Sequence, residues 1–138
     1  VEISRQAPVL LASSFYSTEP VGHAEQRRFW NAVVAIRWTR SPEALLEAVQ
    51  EIERRGGRVT TFRDGPREID VDILDLRGIV RTGRDPVLPH PRMAGRRFVL
   101  APLNEIAPRW KHPVTGLTAG QMLAALPARP SVRKIRSR

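Results

Sequence analysis

Two aspartates one residue apart, Asp70 and Asp72, sit in an apolar run directly behind a Gly-Pro-Arg, in GPREIDVDILDL at residues 65–76. In a strand, residues i and i+2 point to one side, so the carboxylates face one way and Ile69, Val71 and Ile73 the other. Two carboxylates about 5 Å apart repel by roughly 3 kcal/mol at an effective dielectric of about 20, so a positive charge must offset them. Arg63 and Arg67, in the adjoining basic loop, can do so as ordinary ion pairs. Magnesium can do so as well, because hard cations choose carboxylate oxygens and share their shell with substrate phosphates. Arginines beside the pair favour this second chemistry, since a polyphosphate needs both metal and guanidinium neutralisation.

The elements that must position this pair are legible as periodicities. PVLLASSFYS, residues 8–17, reads as a strand ending in the turn-forming TEPVG. FWNAVVAIRW, Phe29–Trp38, alternates as a second strand of the same long-looped hairpin. Its alternation puts Trp30, Ala32, Val34, Ile36 and Trp38 on a core face. Phe29, Asn31, Val33 and Ala35 fall on the other, where an aromatic and a carboxamide lie side by side. SPEALLEAVQEIERR is the strongest helix, with Ser41 as N-cap, Pro42 in the first turn, and Leu45, Leu46, Val49 and Ile52 on one stripe. Gly56-Gly57 is expected to stop it. The loop RVTTFRDGPR leads to the strand EIDVDILDL. MAGRRFVLAPLNEIAP reads as a helical turn interrupted by Pro102, and TAGQMLAAL as a short helix starting at Thr118. Strand, strand, helix, strand implies an α+β sandwich, a sheet with helices on one face.

A chain of 138 residues can bury roughly two thirds of its unfolded surface in one core. The expected organisation is one domain over residues 1–127 and a basic tail, ARPSVRKIRSR, over 128–138, read as a solvated end or a binding element. Apolar residues at 41% and charged residues at 27% exclude a disordered or fibrous chain. No apolar run approaches the length of a bilayer span and no secretory signal is visible, so a cytoplasmic protein with no membrane partner is expected. Zero cysteines exclude disulfides and thiolate metal sites. The excess of 23 Lys and Arg over 14 Asp and Glu gives a net charge of +9, which favours anionic ligands.

The run GRVTTFRDGPREIDVDILDL resembles the signature of 6-hydroxymethyl-7,8-dihydropterin pyrophosphokinase, a folate-pathway family. SSFYSTEPVG, FWNAVV, SPEALLEAVQEIE, LPHPRMAGRRFVLAPLNEIAP and HPVTG follow in that family's order and approximate spacing, over roughly residues 13 to 126. The resemblance implies a ferredoxin-like α/β sandwich with an antiparallel sheet, and transfer of pyrophosphate from ATP to a pterin alcohol. It implies Asp70 and Asp72 as ligands of two magnesium ions, with Arg67 and Arg58 near the triphosphate and the transferring group. His90 and Arg96 match nucleotide contacts, and Gln50 and Glu53 helix residues lining the ATP site. Phe29, Asn31 and Phe98 match the pterin pocket, and Thr18 and the backbone through Val21 the loop that binds the pterin's other polar atoms. Without the resemblance, Phe29 and Phe98 read as core, Gln50 and Glu53 as a polar helix face, and His90 equally as a turn residue. His23 and His112 read as surface or local hydrogen-bonding residues.

The sequence departs from the family in three places. Nothing corresponds to the family's opening strand and helix with their Gly-Ser-Asn turn, so a truncated or short form is expected, with oligomerisation covering the sheet edge it leaves. Asp64 stands where a tryptophan usually precedes Gly-Pro-Arg, and Thr60 where a further arginine is usual, which weakens closure or ATP binding. Rival readings are a degenerate family member with weak or no activity, and a basic module that stacks single-stranded nucleic acid on exposed aromatics. The paired aspartates oppose the nucleic-acid reading, since carboxylates repel phosphate unless metal is bound. A D-x-D glycosyltransferase would usually need a larger fold than this chain allows.

Overall fold

The structure, a computed structural model, describes residues 7–18, 29–59, 70–128 and 131–135; the side chains of residues 29 and 57–59 lie outside that description. It is an α+β fold that divides into two compact units, the first formed by Val1–Val9 with Ile36–His90 and the second by Leu10–Ala35 with Pro91–Arg138.

The first unit is built on helix α1, Pro42–Val59. Ser41 caps it as its sequence demands: Ser41 Oγ accepts from the Ala44 amide at 3.0 Å, satisfying one of the orphan donors of the first turn. Leu45, Ala48, Val49 and Ile52 form the buried stripe. Burying a side chain of Leu, Val or Ile size contributes about 1.5–3 kcal/mol, so this face holds the helix in place. Leu45, Ala48 and Val49 pack with Ala7, Trp38, Leu76 and Leu88, and Val71 and Ile73 lie against that cluster. The helix runs through Gly56-Gly57 rather than stopping there. A glycine costs a helix only about 1 kcal/mol relative to alanine, which does not by itself end one.

The second unit holds most of the strands and the other helices. β1 (Val9–Ala12) pairs with β4 (Val34–Ile36), and a three-stranded antiparallel sheet has the order β3 (Phe29–Asn31), β2 (Tyr16–Thr18), β5 (Val132–Lys134). The expected hairpin is therefore present but broken. At the break Ser13 donates its amide to the Val33 carbonyl, while the Val33 amide donates to Ser13 Oγ instead of to a ladder carbonyl. A side chain that substitutes for the ladder lets both strands bend at one point. Residues 132–134, expected in a solvated tail, form β5 on the free side of β2.

Helix α2, Arg97–Ile106, follows a 3-10 turn at Met93–Gly95 and continues past Pro102. Proline there removes the amide that would bond the Phe98 carbonyl. Pro102 is fully buried, and that burial offsets the lost bond, so the helix is not interrupted as expected. Helix α3, Ala119–Ala124, starts at Thr118 with a reciprocal capping box to Gln121.

The face assignment of the second strand is corrected. Trp30 is 66% exposed and Val34 45%, although alternation placed both in the core, whereas Trp38 is buried in the first unit. In the sheet Tyr16 pairs with Asn31, and Thr18 lies two residues along the same strand, so Tyr16, Thr18 and Asn31 share one face. That is the face α2 covers, since Tyr16 is buried and its hydroxyl donates to Glu105 of α2. Alternation separates two faces; where the helix lands decides which is inside.

Candidate active site

The residues singled out by sequence fall into two groups, one in each unit. In the first unit Asp70 and Asp72 are exposed, while Val71 and Ile73 between and beyond them are half-buried. The alternation is thus retained, and residues 70–75 form no ladder with another described residue; residues 68 and 69 of the expected strand lie outside the described residues. The Val71 amide donates instead to Glu53 Oε2 of α1 at 2.7 Å, and the Leu74 carbonyl accepts from the His90 amide at 2.9 Å. His90 Nε2 lies 3.8 Å from Asp72 Oδ1, a contact that becomes an ion pair when the imidazole is protonated. Gln50 is exposed three residues before Glu53 on the same helix.

Among the described residues no cluster of three or more His, Cys, Asp or Glu side chains forms a ready metal cage. The two open carboxylates nevertheless suit magnesium, which keeps several waters and is held by one or two carboxylates plus substrate phosphates. Arg67 and Val21 lie outside the described residues, as does the side chain of Arg58, whose backbone is in the last turn of α1.

In the second unit Thr18, Arg96 and Phe98 converge on one cavity of about 90 Å³, completed by Gly95, Arg97, Leu126, Pro127 and Val132. The Arg96 guanidinium lies 5.5 Å from the centre of the Phe98 ring, within cation–π range. Arg97 Nη1 donates to the Pro127 carbonyl at 3.1 Å and so ties the start of α2 to the chain that follows α3. Thr18 Oγ1 and Arg97 Nε are buried with no hydrogen-bond partner. Buried polar atoms are rarely left so, and two of them on residues lining one cavity mark it as a place for a polar ligand. Asn31 is half-buried in β3 opposite Tyr16, on the Thr18 face, and does not line the cavity; the side chain of Phe29 is outside the described residues.

Two features of this unit escaped sequence reasoning. Glu105 is a hub: Oε1 accepts from the Tyr16 hydroxyl at 2.8 Å and the Ser14 amide at 3.1 Å, and Oε2 from Ser14 Oγ at 3.0 Å. These bonds, that from Tyr16 foremost, hold its carboxyl below the usual carboxylate range. Burial, then the bond to Glu105, push the Tyr16 phenol up to about 12. The other is Val132, placed against Thr18 by the β2–β5 register. No periodicity marks either one. His112 keeps to its local role: Nδ1 accepts from the Val114 and Thr115 amides, both at 3.2 Å, in a turn closed by Gly116 at φ 75°.

Comparison with known proteins shows the family. The family model described as 7,8-dihydro-6-hydroxymethylpterin-pyrophosphokinase matches residues 2–108. Two relatives carry the name 2-amino-4-hydroxy-6-hydroxymethyldihydropteridine pyrophosphokinase. That of Bacillus subtilis is 41% identical over 113 residues, 82% of this chain and 68% of that protein. That of Porphyromonas gingivalis is 42% identical over 115 residues, 80% of this chain and 77% of that protein. A folic acid synthesis protein of Dictyostelium discoideum is 36% identical over 133 residues, 96% of this chain but 20% of that protein. The chain thus spans about a fifth of that larger relative and some two thirds to three quarters of the two pyrophosphokinases. The chain belongs to the 7,8-dihydro-6-hydroxymethylpterin-pyrophosphokinase family. No helix among the described residues is long and apolar enough to cross a membrane.

Proposed function

We propose that this chain transfers the pyrophosphoryl group of ATP to 6-hydroxymethyl-7,8-dihydropterin in folate biosynthesis. The reading rests on family membership and, in the structure, on one observation: Asp70 and Asp72 are open while Val71 and Ile73 between and beyond them pack inward. In this reading Asp70 and Asp72 hold two magnesium ions, which when bound neutralise charge on the phosphoryl oxygens. Gln50, His90 and Arg96 serve the nucleotide, and Arg58 and Arg67 the transferring group. Thr18, Val21, Phe29, Asn31 and Phe98 serve the pterin. Thr18 Oγ1 gives a flat heterocycle a polar partner, and Phe98 gives it a ring to stack on.

The chemistry needs no nucleophilic side chain. The pterin alcohol oxygen forms a bond to the β-phosphorus, the bond from that phosphorus to the α-phosphate bridging oxygen breaks, and AMP leaves. Catalysis is positioning and charge neutralisation, as in other phosphoryl transfers. To test this, the purified chain is mixed with magnesium-ATP and the dihydropterin, and AMP release is followed beside Asp70→Ala and Asp72→Ala. AMP that depends on both aspartates is expected. AMP release untouched by either substitution would refute the assignment.

A second reading gains one observation. Trp30 and Phe15 are both exposed, with ring centroids 6.2 Å apart, so the second unit offers an aromatic pair on which bases can stack. RNA binding that weakens steeply with salt, survives chelation of magnesium and is lost in Trp30→Ala would favour it.

A further inference from the structure

We propose that Glu53 is a positioning residue for the aspartate pair rather than a nucleotide contact. Its carboxylate reaches from α1 to the backbone amide of Val71, the residue between Asp70 and Asp72, at 2.7 Å. In a paired strand that amide would be fixed by a neighbouring carbonyl. Here Glu53 Oε2 accepts that donor instead.

Among the described residues the segment is also held by the Val71 and Ile73 side chains against the first-unit core and by the Leu74 carbonyl, which accepts from His90. Apolar packing sets which side of the segment faces in, but it is non-directional along the chain axis. The hydrogen bond supplies a directional constraint, because it fixes the height of Val71 against α1 and with it the spacing at which Asp70 and Asp72 leave the backbone. Charge points the same way. An ionised carboxylate gains nothing by touching a polyphosphate, whereas it is a strong acceptor for an amide. Glu53 Oε2 is already committed to one.

The inference rests on the reading of Asp70 and Asp72 as the pair that holds the divalent cation, and two readouts separate the two claims. The first is amide hydrogen exchange at Val71 in the metal-free chain. It is expected to speed up in Glu53→Ala and to stay near the wild-type rate in Glu53→Gln, whose side-chain oxygen can still accept. The second is binding of manganese, as a spectroscopic substitute for magnesium, to the full chain with a non-hydrolysable ATP analogue. Loss of a partner that orients metal ligands costs about 10–100-fold in affinity, so Glu53→Ala is expected to weaken manganese binding by about tenfold. Glu53→Gln should stay within about threefold, the residue being the lost charge.

If wild type and Asp70→Ala bind manganese equally, the metal reading of the pair fails, whatever Glu53 does. If wild type binds and Asp70→Ala does not, while Glu53→Ala binds as wild type with an unchanged Val71 exchange rate, the positioning role is overturned. It is overturned too if Glu53→Gln matches Glu53→Ala in both readouts, for then charge and not the hydrogen bond is what matters.

Discussion

Glu105 offers the sharpest quantitative prediction, because three bonds from two residues of the β2 region end on its carboxylate. Tyr16→Phe deletes one of them and leaves the ring packed where it is. A hydrogen bond to a charged group contributes about 1.5–3 kcal/mol, discounted here to roughly 1–1.5 kcal/mol because Glu105 itself is exposed. Glu105→Ala removes all three and leaves the buried Tyr16 hydroxyl without its acceptor, for roughly 2–3 kcal/mol. In this size range the larger loss lowers Tm by roughly 6–12 °C.

The pH dependence follows from the direction of each shift. Glu105 titrates lower folded than unfolded, so its contribution is present above the ordinary carboxylate range and is lost as pH falls through the folded value. Tyr16 titrates near 12 folded against 10.0 unfolded, so its contribution is intact below pH 10 and is lost as pH rises from there through about 12. Urea unfolding of wild type, both single variants and the double variant at pH 7, 4 and 11 measures these terms, and the two single losses must exceed the double loss by about 1 kcal/mol. Strictly additive losses with no change in the alkaline limb of Tyr16→Phe would refute the hub.

Thr18→Val removes a buried hydroxyl that has no partner, so it is expected to leave unfolding free energy within about 0.5 kcal/mol of wild type while weakening pterin binding, measured by calorimetry. Leu88→Ala opens a cavity at a fully buried site in the first-unit core and should cost about 2–5 kcal/mol in urea unfolding. Thr118→Ala, which breaks the capping box of α3, should cost about 1 kcal/mol by the same assay. Chelation of divalent cations should abolish binding of an ATP analogue in wild type and change nothing in an Asp70→Ala, Asp72→Ala double variant, read by equilibrium dialysis.

What could be read from the sequence was what depends on local chemistry. The Ser41 cap, the Leu45, Val49 and Ile52 stripe, the Thr118 start of α3 and the in-and-out alternation around Asp70 and Asp72 each rest on spacing and side-chain type alone. What depends on a distant partner was not legible. Trp30 alternates as a core residue would, yet α2 packs on the opposite face of the sheet. Gly56-Gly57 and Pro102 read as helix stops, yet the glycines cost too little to end α1 and burial of Pro102 carries α2 through. Asp70–Asp75 has the pattern of a strand but takes its amide partner from a glutamate on α1. The cavity shows the same division: motif residues Thr18, Arg96 and Phe98 form part of its wall, and Val132 arrives from a segment whose basic composition reads as a tail.

The measurement that bears most directly on the proposed chemistry is the fate of the β-phosphorus. With ATP labelled there and the dihydropterin as acceptor, transfer of the whole pyrophosphoryl group carries the label to the pterin and leaves unlabelled AMP. Label that stays in the nucleotide as ADP would contradict pyrophosphoryl transfer, even if ATP is consumed in a manner that depends on Asp70 and Asp72.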